Sequence, residues 1–191
     1  TLAECSSIPI INGLTDDEHP CQVLADLMTI RENKLILEGL KVAYIGDGNN
    51  MCNSLLVGCL TLGMHFSAAC PNGYNPAEYY INKGSEIADR EQVNFTITTS
   101  VEEAIKDADV VITDVWASMG QEDEANSRAI AFEGFQINSK VMALANKDAI
   151  VLHCLPAHRE EEITAEVLEK HADVIFEEAE NRLHAQKAVL V

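Results

Sequence analysis

The chain has 191 residues, 47% of them hydrophobic, and carries 31 acidic against 13 basic side chains for a net charge of −18. That size supports one ordinary globular domain with a real core. So acidic a balance excludes a duplex-binding role, which needs clustered Lys and Arg to replace counterions. No apolar run approaches the ~20 residues of a membrane span. The opening TLAECSSIPI lacks the basic and apolar regions of a signal peptide. It also lacks an initiating Met, and the chain reads as a fragment or a processed product. Six cysteines, Cys5, Cys21, Cys52, Cys59, Cys70 and Cys154, are scattered without a CxxC pair and read as reduced thiols of a cytoplasmic protein.

In chain order, SSIPIING (6–13) is an apolar, strand-like run with no βα partner, and a strand without a sheet is a liability. It is expected to complete the sheet of another domain. HPCQVLADLMTIREN (19–33) reads as a long helix. From there the period alternates: strand 41–46, helix 50–63, strand 65–70, helix 75–90, strand 93–99, helix 100–108 with a Ser cap, strand 109–114, helix 138–145, strand 149–154, helix 164–170 and a last short strand, DVIF, at 173–176. EEAENRLHAQKAVLV (177–191) reads as a helix running to the end. Apolar strands alternating with helices mark a parallel sheet covered on both faces. Residues 36–177 are therefore expected to form a doubly wound, Rossmann-like α/β domain.

In open α/β sheets, ligands sit beyond the carboxyl ends of the strands. Three expected strands end in unusual polar sequences, GDGNN, DVWASMG and HCLPAHR, which places these loops on one edge of the sheet whatever the strand order. Gly46 and Gly48 open like a dinucleotide fingerprint. However, Met51 takes the third glycine's place and ACPN ends the second strand without a ribose-holding acid, which disfavours NAD. Of Asn49 and Asn50, one suits the N-cap and the other a ligand. Asp114 can pair with a ligand ammonium or cap its loop, and Ser118, Met119 and Gly120 offer a hydroxyl and loop backbone. Trp116 reads as packing, and GQEDEANSR (120–128) as a mobile lid.

Four readings of HCLPAHR stay open. Cys154 can be a small buried hydrophobe, a zinc ligand with His153 and His158 that still lacks a fourth partner, a nucleophile with either histidine as base, or a polar contact that positions a substrate. His19 and Gln22 open the first long helix, where backbone amides favour anions and His19 can donate to a carbonyl oxygen. Arg182, one of only five arginines (Arg31, Arg90, Arg128, Arg159 and Arg182), is a forked donor suited to phosphate or carbonyl oxygen.

Taken in order, HPCQ, GDGNN with Ser54 following, DVWASMG, HCLPAHR and EEAENRLHAQKA resemble the ornithine carbamoyltransferases of the aspartate/ornithine carbamoyltransferase family, across almost the whole chain. The resemblance implies transfer of a carbamoyl group from carbamoyl phosphate to the δ-amine of L-ornithine, giving L-citrulline and phosphate without metal or organic cofactor. It implies that His19, Gln22 and Arg182 contact carbamoyl phosphate, and that Cys154 and the Leu155 carbonyl lie where amine meets carbonyl carbon. Asn50, Asp114, Ser118 and Met119 would hold ornithine, with Asp114 facing its α-ammonium. Cys154 would orient and polarise rather than attack. The SMG loop favours ornithine over the amines of sister transferases (aspartate, putrescine, acylated ornithine); a non-catalytic amino-acid-binding module is the other alternative.

The family's Ser-x-Arg-Thr-Arg phosphate loop has no counterpart here. By resemblance, residues 1–18 are then the remnant of a carbamoyl-phosphate domain, 19–35 a bridging helix, 36–177 the ornithine-binding domain and 178–191 a second bridging helix. The resemblance further implies a homotrimer or higher homo-oligomer built largely through the missing domain, a cytoplasmic location, and little or no activity in this chain alone.

Overall fold

Strands buried on both faces read as continuous apolar runs, and 42–45, 66–69, 110–113 and 151–153 are buried throughout. The computed structural model describes residues 2–117 and 122–191. A short helix α1 (Leu2–Cys5) precedes α2 (Pro20–Lys34), β1 (Lys41–Ile45), α3 (Asn50–Thr61), β2 (His65–Ala69), α4 (Glu78–Glu91), β3 (Phe95–Thr98), α5 (Val101–Ile105) and β4 (Val110–Thr113). A 3-10 turn (Glu122–Glu124), α6 (Ala125–Ala131), α7 (Ser139–Met142), β5 (Ile150–His153), α8 (Ala165–Lys170) and α9 (Ala172–Leu190) follow. The five strands form one sheet in the order β3-β2-β1-β4-β5, parallel throughout. This is the expected doubly wound arrangement: the chain winds outward from β1 to one edge, then returns to β4 and winds out to the other.

The alternation along each strand divides the core in two. Val42, Tyr44, Phe66, Ala68, Val110, Ile112 and Leu152 pack on one face with α2, α3 and α4. Ala43, Ile45, Ala69, Val111 and Val151 pack on the other with α5, α8 and Ile175 of α9. No helix among the described residues is long and apolar enough to cross a membrane.

Two sequence expectations fail, those for DVIF and for the polar run after Trp116. DVIF is not a strand: residues 173–176 lie inside α9, whose buried positions Ile175, Glu178, Asn181 and Ala185 keep a helical spacing. No glycine or proline separates this run from the helix after it, so its β-branched residues are drawn into the helix. SSIPIING, expected to complete the sheet of another domain, is not in a strand within this chain alone. It has no neighbouring strand to bond, and Ile8, Ile10 and Ile11 are exposed. The polar run proposed as a lid contains α6, and its Arg128 is buried, donating to Asp47 Oδ2 at 2.6 Å and to the Trp116 carbonyl at 3.0 Å. That buried ion pair pins α6 to the loop after β1, while Gly120 and Gln121 of the run lie outside the described residues.

Candidate active site at the carboxyl edge of the sheet

Ile45 pairs with Thr113 and Thr113 with His153, so β1, β4 and β5 end level with one another. Thr113 Oγ1 ties the row together by donating to the Ile45 carbonyl at 2.7 Å. The next residues, Gly46, Asp114 and Cys154, therefore leave the sheet side by side. Convergence of the three polar loops is a consequence of strand register.

Asp114 is the centre of this rim. Its carboxylate is nearly buried, and Oδ2 accepts from Asn49 Nδ2 at 2.8 Å. Its Oδ1 accepts from the Val115 amide at 2.8 Å and from the Cys154 thiol at 3.1 Å. Asn49 is in turn fixed as the N-cap of α3, its Oδ1 accepting from the Met51 and Cys52 amides at 3.0 and 3.2 Å. Of the two asparagines, the cap is thus Asn49. Asn50 donates to the Thr15 carbonyl at 2.7 Å, which lays the segment before α2 across the start of α3. Gly48 is required by close packing. A Cβ there would stand 2.1 Å from Pro76 N, so the space a dinucleotide fingerprint leaves for pyrophosphate holds the Asn75–Pro76 backbone. Ser118 and Met119 lie outside the described residues.

Cys154 is partly exposed, and its surroundings decide among the four readings. Burial first, then the Asp114 carboxylate, push its thiol well above the ordinary range, so it is protonated and donating. Neither neighbouring histidine is its base. His153 is buried; its Nδ1 accepts from the Leu155 amide at 2.9 Å, and its Nε2 lies 3.0 Å from Glu162 Oε1. That pattern places the ring proton on Nε2, donated to Glu162. The His158 ring is exposed and turned toward Glu161 at 3.8 Å. Among the described residues the one grouping with metal-ligand potential is His158, Glu161 and Glu162, which leaves Cys154 out. The remaining reading is a polar contact. Leu155 takes a left-handed φ of 53°, unusual for a branched side chain, and the His153 ring holds it there.

A second group lies at the α2–α9 interface. Arg182 Nη1 donates to Gln22 Oε1 at 2.5 Å, and the His19 amide donates to Ser54 Oγ at 2.8 Å. Burial and then Arg182 pull the His19 imidazole below its ordinary value, so it is neutral at physiological pH. Glu178 joins the two groups. Its Oε1 accepts from Gln22 Nε2 at 3.0 Å and its Oε2 from the His153 amide at 2.8 Å. Gln22 and Arg182 are thus tied by hydrogen bonds to the His153 amide, and the adjoining residue, Cys154, bonds to Asp114, so one assembly runs through the end of β5. Sequence reasoning missed four of its members: Asn49 as the holder of Asp114, Asp26, Glu162 and Glu178. An acid at a helical spacing from Ile175 and Ala185 is the signal that would have found Glu178.

Comparisons with known proteins bear on the family and the fold. The family described as "Aspartate/ornithine carbamoyltransferase, Asp/Orn binding domain" matches residues 38–191, and "Aspartate/ornithine carbamoyltransferase, carbamoyl-P binding domain" matches residues 1–32. The chain is 54% identical over 190 residues to the ornithine carbamoyltransferase of Anoxybacillus flavithermus, spanning 100% of this chain and 60% of that protein. It is similar to the crystal structure of anabolic ornithine carbamoyltransferase from Campylobacter jejuni, with TM-score 0.95 and 49% identity, covering 98% of this chain and 62% of that one. The ornithine carbamoyltransferase from Pyrococcus furiosus superposes with TM-score 0.94 and 48% identity, over 99% of this chain and 60% of that one. The chain thus spans about 60% of the length of such relatives. With a shared fold, near half of all positions identical and a family match over residues 38–191, the chain belongs to the aspartate/ornithine carbamoyltransferase family.

Proposed function

We propose that this chain carries the ornithine-binding half of an ornithine carbamoyltransferase site. The supporting observation is the Asp114 carboxylate, held at the rim by Asn49 and bonded to the Cys154 thiol. In this reading Asp114 receives the α-ammonium of ornithine, with Asn50, Ser118 and Met119 completing the grip. The Cys154 thiol and Leu155 carbonyl orient the δ-amine. Gln22, His19 and Arg182 face carbamoyl phosphate.

The neutral δ-amine attacks the carbamoyl carbon directly, so positioning supplies much of the rate. Charge develops on the former carbonyl oxygen, where donors from His19 and Arg182 are each worth about 3 kcal/mol. The bond to phosphate then breaks, phosphate carries away the electron pair, and it takes the proton released by the amine. The products are citrulline and phosphate, and no step needs a metal or organic cofactor.

A phosphate dianion needs several cations, yet Arg90, Arg128 and Arg159 are tied to acids elsewhere. We therefore infer that the chain alone makes little or no citrulline. Turnover would require a carbamoyl-phosphate half of the kind matched by residues 1–32, in a homotrimer or larger homo-oligomer.

Calorimetric titration of the chain with L-ornithine, L-aspartate and putrescine tests the ornithine reading. Ornithine is expected to bind best, and Asp114→Asn to weaken it roughly 30-fold, the loss of one charge-assisted hydrogen bond of about 2 kcal/mol. Equal affinity in the variant, or a preference for aspartate, would sink the assignment. Citrulline formation measured on the same preparation tests the inactivity.

A further inference from the structure

Asp26 of α2 and Glu178 of α9 are buried carboxyls, 0% and 1% exposed, brought side by side by a shared donor, the Gln22 amide, behind the groups assigned to carbamoyl phosphate. Gln22 Nε2 donates to both, at 2.8 Å to Asp26 Oδ1 and at 3.0 Å to Glu178 Oε1. The second oxygen of Glu178 accepts from the His153 amide at 2.8 Å. Of the four carboxyl oxygens, only Asp26 Oδ2 receives no N–H donor. Two carboxylates cannot both stay ionised side by side in so dry a place, and the bonding pattern leaves one position for the proton that relieves them. We propose that Asp26 and Glu178 are positioning residues that share a single proton, carried on Asp26 Oδ2 and donated to Glu178, and that this pair sets the direction of the Gln22 amide, the Arg182 guanidinium and the His153–Cys154 backbone.

The consequences follow bond by bond. With its NH₂ committed to two acceptors, the Gln22 amide has one orientation, and its Oε1 faces the Arg182 Nη1 donor. Through the His153 amide the same pair fixes the end of β5, from which Cys154 projects. Loss of the proton would place two negative charges in the interface. The groups around them are Arg182 on α9, Cys59 on α3, Asp114 after β4 and Cys154 after β5, of which only Arg182 is a cation. Burial raises both carboxyls, Asp26 to about 7 and Glu178 well above its usual range, with the neighbouring carboxyl a further cause for Glu178. A raised folded value means that the folded chain holds a proton the unfolded chain releases near pH ~4. The pair's contribution is therefore complete below that pH and is lost as pH rises toward about 7.

The inference rests on the carbamoyl-phosphate reading only for its purpose; its test needs neither substrate nor turnover. Asp26→Asn and Glu178→Gln are compared in the 191-residue chain. In D26N an amide nitrogen takes the place of Oδ2 and still donates to Glu178. In E178Q an amide nitrogen must face either the His153 N–H or the Gln22 NH₂, donor against donor. D26N is expected to keep the side-chain amide resonance of Gln22 where the wild type has it, and to weaken the dependence of melting temperature on pH between about 5 and about 8. E178Q is expected to displace that resonance and lower the melting temperature at every pH. Equal behaviour of the two variants, or the reverse order, overturns the proposal. A wild-type measurement stands independently of variant folding: the Asp26 and Glu178 carboxyl carbons, followed together, should show the pair keeping one proton well above the ordinary carboxylate range, and release of both protons near ~4 would refute the shared proton. If these results hold while carbamoyl phosphate leaves the Gln22 and Arg182 signals unmoved, the network survives and the ligand assignment fails.

Discussion

A thiol bonded to a carboxylate behaves differently from one bonded to an imidazole. Next to His⁺ a cysteine becomes a thiolate nucleophile, whereas at the rim of this sheet Cys154 donates to Asp114 and stays protonated. Alkylation rates distinguish the two. Cys5 is exposed, and four of the other cysteines are buried, so iodoacetamide at neutral pH should label Cys5 quickly and Cys154 slowly. Asp114→Asn should speed labelling of Cys154, because the like charge beside the thiol is removed and a neutral amide oxygen accepts its S–H more weakly. Labelling of Cys154 faster than Cys5 in the wild type would overturn the protonated-thiol role. At this scale the sequence was informative where chemistry coincides with an element's end: Asp114 and Cys154 follow strands, Gln22 opens a helix, and all three make hydrogen bonds in this region. It offered Asn49 as a cap or ligand residue without its bond to Asp114, 65 residues on, and was silent about Asp26, Glu162 and Glu178, whose roles depend on contacts that reach as far as 156 residues along the chain. A lone acid in a helical run looks like surface until its neighbours are known.

At the level of elements, the βα alternation was readable because strands buried on both faces leave unbroken apolar runs and four helix starts carry a capping residue. Asn49, Ser100, Asn138 and Thr164 all cap as side-chain acceptors. Two runs show what side-chain pattern leaves out. Val174 and Ile175 in DVIF, and the isoleucines of SSIPIING, have strand-like side chains, but a strand exists only where a neighbour can pair with it. Propensity cannot report the neighbour. Loop packing is similarly hidden. Gly48 looked like a phosphate-binding glycine, yet its amide donates to the Tyr74 carbonyl at 2.7 Å and its α-carbon abuts the Asn75–Pro76 backbone. Gly48→Ala must therefore push the β2–α4 loop away from the β1–α3 loop, and backbone cannot yield as a side-chain tip can. A loss of about 3 kcal/mol is expected, lowering the melting temperature by roughly 10 °C. Ornithine affinity should fall with it, since Asn49 follows Gly48 and holds Asp114. A variant that melts like the wild type would show that the two loops are not in rigid contact.

For the molecule as a whole, the acid excess sets the response to salt. A net charge of −18 on 191 residues means that the folded state concentrates repulsion which the expanded chain relieves. Attractive pairs could offset this only if they were numerous and equally exposed to solvent. The described ion pairs divide into surface contacts such as Arg159–Glu169 and Arg90–Glu91, each worth little, and the Arg128–Asp47 pair, shielded from ions by burial. Raising salt from about 0.01 M to about 0.15 M shortens the Debye length from roughly 30 Å to roughly 8 Å. Over that change the long-range repulsion is screened, while the buried pair is little affected. The melting temperature should consequently rise with sodium chloride across this range and level off above it. Because the effect is one of screening, potassium chloride should act equally. A fall in melting temperature would mean that surface ion pairs outweigh the net repulsion. A rise with one cation only would indicate a bound ion in place of general screening.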